Sequence, residues 1–172
     1  MAAPPYPHRT IGEVMEFAYG KGLPAVERNG GLIPVYGSTG VVGFHDTALV
    51  SDPTVIVGRK GNAGAVYLTD GPSFPIDTVF YVVPKSDVLI DMGFVSWALK
   101  HADLARLDNG TAVPSLTRKA AYLSRIPFPP IAQQRRIGDL ARNVARQVKV
   151  HRKIIESYQA MADLVARKLL NS

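Results

Sequence analysis

Short runs of β-branched and aromatic residues, set between glycines, dominate the first 130 positions of the chain. Thr54-Val55-Ile56-Val57 and Ala65-Val66-Tyr67-Leu68 read as buried strands. Thr78-Val79-Phe80-Tyr81-Val82-Val83 is the strongest strand signal, stopped by Pro84, and Ile33-Pro34-Val35-Tyr36 predicts a shorter strand after a Gly30-Gly31 turn. Thr10-Ile11-Gly12-Glu13 has the form of a capping box and predicts a helix over 11–18. Phe94, Val95, Ala98, Leu99, Ala102 and Leu107 recur at helical spacing, which predicts an amphipathic helix over 92–107. An Asn109-Gly110 turn follows, and residues 111–128 read as irregular with short extended pieces. Short strands with few helices make an α+β domain around a small mixed, curled sheet.

The period then changes. Pro129 and Pro130 can open a helix at its first turn. Beyond them, steps of four and three pick out Ile137, Ala141, Val144, Val148, His151, Ile155, Tyr158, Ala162, Val165 and Leu169. All but His151 are apolar or aromatic, and the spacing is a heptad seam, widened by Leu140, Ile154 and Met161. A helix over 131–170 would be about 60 Å long at 1.5 Å per residue. A single small domain has no use for that length, so the helix projects and its seam needs a partner. Folding back over its own domain is the alternative. The chain thus divides into a globular part, 1–128, and one long coiled-coil helix, 129–172.

Composition sharpens this division. All 13 prolines precede position 131, and of 15 glycines only Gly138 follows it. Residues 1–130 hold 11 basic and 11 acidic side chains, whereas residues 131–172 hold 9 and 3, so the whole net charge of +6 belongs to the helix. Arg135, Arg136, Arg142, Arg146, Lys149, Arg152 and Lys153 lie mostly off the seam and form either a solvated face or an anion-facing stripe. The absence of cysteine excludes disulfides, thiolate metal sites and cysteine nucleophiles. Neither a transmembrane-length apolar run nor a signal segment is visible, so a cytoplasmic protein without membrane contact is expected.

Two loops share the form G-x-x-G-x-x-G: Gly37-Ser38-Thr39-Gly40-Val41-Val42-Gly43 and Gly58-Arg59-Lys60-Gly61-Asn62-Ala63-Gly64. Neither is the dinucleotide fingerprint or the Walker pattern. They read as tight turns requiring positive φ, or as loops carrying backbone N–H groups, hydroxyls and an Arg-Lys pair to phosphates or base edges. Metal-nuclease and amino-methyltransferase motifs are missing, and the four histidines lack metal-ligand spacing. Neither a catalytic residue nor a metal site is therefore expected.

Five ordered segments together resemble the target-recognition half of a type I restriction-modification specificity subunit. They are Ile33-Pro34-Val35-Tyr36-Gly37-Ser38-Thr39-Gly40, Val55-Ile56-Val57-Gly58-Arg59-Lys60-Gly61, Phe74-Pro75-Ile76-Asp77-Thr78, Gly110-Thr111-Ala112-Val113-Pro114-Ser115-Leu116 and Ile126-Pro127-Phe128-Pro129-Pro130-Ile131. The resemblance implies a non-enzymatic module that recognises double-stranded DNA and docks a DNA methyltransferase (modification) subunit, with a restriction subunit as a further partner. Catalysis and S-adenosylmethionine would belong to those partners, and this chain would need no cofactor of its own. Two departures stand out. The family's full subunit carries two recognition domains and two long helices, so this chain corresponds to a half-subunit that homodimerises to read a bipartite site. The helix opens Pro130-Ile131-Ala132-Gln133-Gln134, where the family more often has an acidic residue before the second Gln.

The expected DNA contacts are Tyr36, Ser38, Thr39, Arg59, Lys60, Asn62, Thr117, Arg118 and Lys119. The expected dimer or partner interface is Ile137, Val144, Val148, His151, Ile155, Tyr158, Val165 and Leu169. Two other classes compete. The neutrality of residues 1–130 suits a protein-interaction adaptor that uses the helix and reads no DNA, because DNA binders usually carry excess charge on the reading domain. A small phosphate-handling enzyme built on the glycine loops lacks an accompanying base, metal site or Walker lysine.

Overall fold

The structure, a computed structural model, describes residues 6–28, 30–107 and 114–170. The strongest strand signal forms the interior of the main sheet. In that sheet β8 (Val79–Pro84) lies between β2 (Met15–Tyr19) and β5 (Val55–Gly58), and β6 (Val66–Leu68) closes the far side, every pair antiparallel. A second sheet orders β4 (Gly40–His45), β3 (Ile33–Gly37) and β7 (Phe74–Pro75); β3 and β7 run parallel, so the fold is mixed. β1 (His8–Thr10) and β9 (Arg125–Pro127) form a two-stranded ribbon that ties the start of the globular part to its end. With the long helix below, this is the expected α+β architecture.

Helices cover one face of the main sheet. The core joins Phe17, Val55, Val57, Phe80 and Val82 from the strands to Phe94, Val95, Ala98 and Leu99 from α2 (Met92–His101). Asp91 caps that helix, accepting from the Phe94 N–H at 2.9 Å. A smaller cluster of Leu23, Val35, Phe74 and Ile76 sits under the second sheet.

Three expectations about helices are corrected. The Glu13 carboxylate accepts from the Thr10 N–H at 2.6 Å and from its hydroxyl at 2.9 Å, yet the helix so opened, α1 (Ile11–Val14), is one turn long. From Met15 the side chains alternate, with Met15 and Phe17 buried and Glu16 exposed, and the edge of β8 recruits them as a strand rather than as the rest of a helix over 11–18. The helix over 92–107 stops at His101. Asp103 adopts a left-handed φ of 50°, and a 3₁₀ turn over Leu104–Leu107 then turns Leu104 into the core. Residues 118–123 are not irregular. The Thr117 hydroxyl accepts from the Ala120 N–H at 3.2 Å and opens α3 (Arg118–Leu123). The Asn109-Gly110 turn lies outside the described residues.

The last helix, α4 (Ile131–Leu170), has the expected bounds. Its base is bound firmly to α2. Gln134 is buried; its Nε2 donates to the Pro129 carbonyl at 2.9 Å and its Oε1 accepts from the Asp91 N–H at 3.2 Å. Gly138 meets Asp91 and the backbone of Phe94, where any side chain would collide. Arg142 grips both oxygens of Asp91 at 3.1 and 3.2 Å and also reaches Asp139 at 2.8 Å. Those bonds, to Asp139 and then to Asp91, hold the Arg142 guanidinium above its ordinary pKa. From residue 143 to 170 every position is exposed, so about 42 Å of helix stands clear of the globular part.

Candidate nucleic-acid interface

At one end of the main sheet, three segments distant in sequence meet. The tip of the β3–β4 hairpin presents Ser38 and Thr39, and Gly40 turns the chain with φ +102°. The phenol of Tyr67 donates to the Ser38 carbonyl at 3.1 Å, and Gly61 lies beside the Ser38 hydroxyl. The second glycine loop is closed by Gly64 N–H donating to the Gly58 carbonyl at 2.9 Å. Gly64, at φ +80°, presses on the backbone of Leu104 and Ala105 and has no room for a side chain. Gly40, Gly61 and Gly64 therefore serve tight turns that bring the two segments together, but the first is a loop only at Ser38 and Thr39: from Gly40 it pairs with β3 as strand β4, with Gly43 at φ +152° inside the strand.

The third segment straps the second loop down. Gly61 N–H donates to the Pro114 carbonyl at 3.0 Å, Leu116 N–H to the Arg59 carbonyl at 2.9 Å, and Lys60 forms a bridge with Ser115. On the other side, the N–H groups of Arg59 and Lys60 both donate to the Thr78 carbonyl, at 2.9 and 3.1 Å. The strap continues into Thr117, the cap of α3, so Arg118 and Lys119 start a helix beside the loop. Lys60, Asn62, Thr117, Arg118 and Lys119 are exposed. Tyr36 differs. It is half-buried in the central strand of the second sheet, and burial, then the nearby Asp70 charge, raises its phenol pKa.

Tyr19, at the end of β2, escaped the sequence reading. Its ring is half exposed beside Phe80 and receives two guanidiniums: Arg118 Cζ at 4.5 Å from the centroid and Arg59 Cζ at 5.3 Å. The alternation of Met15, Phe17 and Tyr19 was the available signal. Among the described residues no group of three or more His, Asp or Glu is placed to hold a metal ion. Among the described residues, no helix is long and apolar enough to cross a membrane.

The seam residues divide at the junction. Ile137 packs half-buried against the domain's own core. Val144, Val148, His151, Ile155, Tyr158, Val165 and Leu169 are all exposed. The His151 ring lies 2.8 Å from the Gln147 carbonyl of its own helix.

The comparisons with known proteins agree with this architecture. Residues 6–158 match the family described as the type I restriction modification DNA specificity domain. The fold is similar to a type I restriction-modification S subunit from M. genitalium (TM-score 0.70, 21% identity), covering 89% of this chain and 44% of that one. It is also similar to the HsdS subunit from Thermoanaerobacter tengcongensis (TM-score 0.60, 16% identity), covering 87% of this chain and 40% of that one. A third structure, from work on complex assembly and conformational transition of the type I R-M system, aligns with TM-score 0.64 at 16% identity over 90% of this chain and 42% of that one. The chain thus spans less than half the length of each. No curated protein matches it. The chain belongs to the type I restriction-modification DNA specificity domain family.

Proposed function

We propose that this chain is a DNA sequence-recognition unit of a type I restriction-modification complex. It contributes no catalysis and pairs through α4 with a second copy to read a bipartite site. The observation that carries the reading is the meeting of Ser38 and Thr39, Arg59 to Asn62, and Thr117 to Lys119 on one end of the domain. Hydroxyls and cations on rigid, strapped loops suit phosphate and base contact. The domain as a whole is electrically neutral, so attraction to DNA comes from this local placement and from the basic helix rather than from the domain's net charge.

The exposed seam supports the pairing. An antiparallel pair of α4 helices would hide Val144, Val148, Ile155 and Tyr158 and set the two domains at opposite ends. Two-fold symmetry then requires half-sites in inverted repeat, separated by a spacer that is not read. The methyltransferase subunit docks on this assembly and supplies the chemistry, with a restriction subunit as a further component.

Coexpression with the type I methyltransferase subunit of the same genome, followed by mapping of methylated sites, tests the proposal. The expected result is copurification and methylation at an inverted repeat that disappears when this chain is omitted. Methylation independent of this chain would overturn it.

A further inference from the structure

Within this surface two arginines share one tyrosine ring but spend their donors differently. Arg59 Nε and Nη2 both donate to the Asp77 carbonyl, at 3.1 and 2.6 Å. Its guanidinium also lies 5.9 Å from the Phe80 centroid. The Nε edge of its fork, one of the pairs of parallel donors a base could use, is already taken by the protein. Arg118 is exposed in the first turn of α3, its backbone fixed by the Thr117 cap. Among the described residues it makes no hydrogen bond or ion pair, and its guanidinium rests on Tyr19.

We infer that Arg118, held on the Tyr19 ring, reads a guanine bidentately in the major groove, that Tyr19 is its positioning residue, and that Arg59 braces the loop. The inference rests on the DNA reading proposed above and assigns roles within it. A planar fork already stacked loses less freedom when it meets the two acceptors of guanine, O6 and N7. A phosphate contact carries no sequence information, so a preference confined to one base separates the two roles. Tyr19 ends the edge strand β2, so its backbone is fixed by pairing with Phe80 of β8, and the platform is set by the sheet rather than by a loop.

The test is selection from a randomised duplex library by the full chain, then titration of the enriched duplex and of an unrelated one at fixed salt. Wild type should enrich a sequence containing guanine. Arg118→Ala should weaken the enriched duplex roughly 5- to 150-fold, remove the preference at one guanine and leave the unrelated duplex nearly unchanged. Arg118→Lys, which keeps the charge but not the fork, should lose the same preference. Tyr19→Leu should cost about two- to fivefold at that position only, and Tyr19→Phe should restore it. Arg59→Ala should lower the thermal midpoint and weaken the enriched and the unrelated duplex alike, without removing the preference at the guanine. Circular dichroism confirms the fold of each variant. Equal weakening of all duplexes by Arg118→Ala would make it a phosphate contact and overturn the inference. So would loss of the guanine preference in Arg59→Ala with its retention in Arg118→Ala. Failure of Tyr19→Phe to restore binding would overturn the positioning role. A wild-type chain that enriches no sequence would overturn the DNA reading itself, and this inference with it.

Discussion

Val14, Val55 and Val57 are fully buried in the globular domain, while Val144, Val148 and Val165 stand about half exposed along α4. The same side chain is spent on folding in one region and left available in the other. The domain completes its own core, with Phe17, Phe80 and Phe94 buried between sheet and helices. The distal helix completes nothing by itself, because each apolar residue beyond the junction faces water. Between them, Gln134, Gly138 and Arg142 clamp the helix base to α2. The domain's stability therefore resides above the clamp, and the exposed apolar seam proposed for association lies below it.

The largest effect should come from the domain core. Phe94→Ala removes a fully buried ring at the sheet–helix contact and should lower stability by about 3–5 kcal/mol, measured by urea denaturation. A loss under about 1 kcal/mol would mean that the core is not the continuous unit described. The clamp should matter less. Arg142→Ala leaves the Asp91 carboxylate with only its own helix cap, and because the Arg142 side chain is one-third exposed the loss should be about 1 kcal/mol. The same denaturation series reads it, and a loss as large as that of Phe94→Ala would contradict the division. The smallest effect on stability should come from inserting one heptad between Val148 and His151. The domain's midpoint should not move. The insertion adds about 10.5 Å of helix, so the unread spacer between half-sites should grow by roughly three base pairs. Mapping of methylated sites checks this, and an active insertion variant with an unchanged spacer would defeat the helix as a ruler.

How much of this was legible in the sequence follows from the range of the forces involved. α4 was readable because its seam repeats over ten positions without a proline. β5 and β8 were readable because buried central strands are continuous apolar runs. β1, β7 and β9 were not, because two or three residues carry no period and their strand state depends on distant partners, such as Pro127 opposite His8. β2 was misread because a genuine capping box stood in front of it, and pairing with β8 overrode that local signal. At the candidate site, the residue types were visible but their division of labour was not. Nothing near Arg59 in sequence announces that the Asp77 carbonyl takes its Nε and Nη2 donors. Tyr19 lay just beyond a helix that ended early.

The proposed division has the domain completing its own core while the exposed seam of α4 pairs with a second copy. Sedimentation equilibrium of the full chain and of its Val144→Asp/Val148→Asp double variant tests this most directly. The expected result is a dimer for the wild type and a monomer for the variant, with the same denaturation midpoint for the domain in both at concentrations where the wild type is dissociated. An unchanged dimer in the variant, or a wild type that stays monomeric at every concentration, would contradict it.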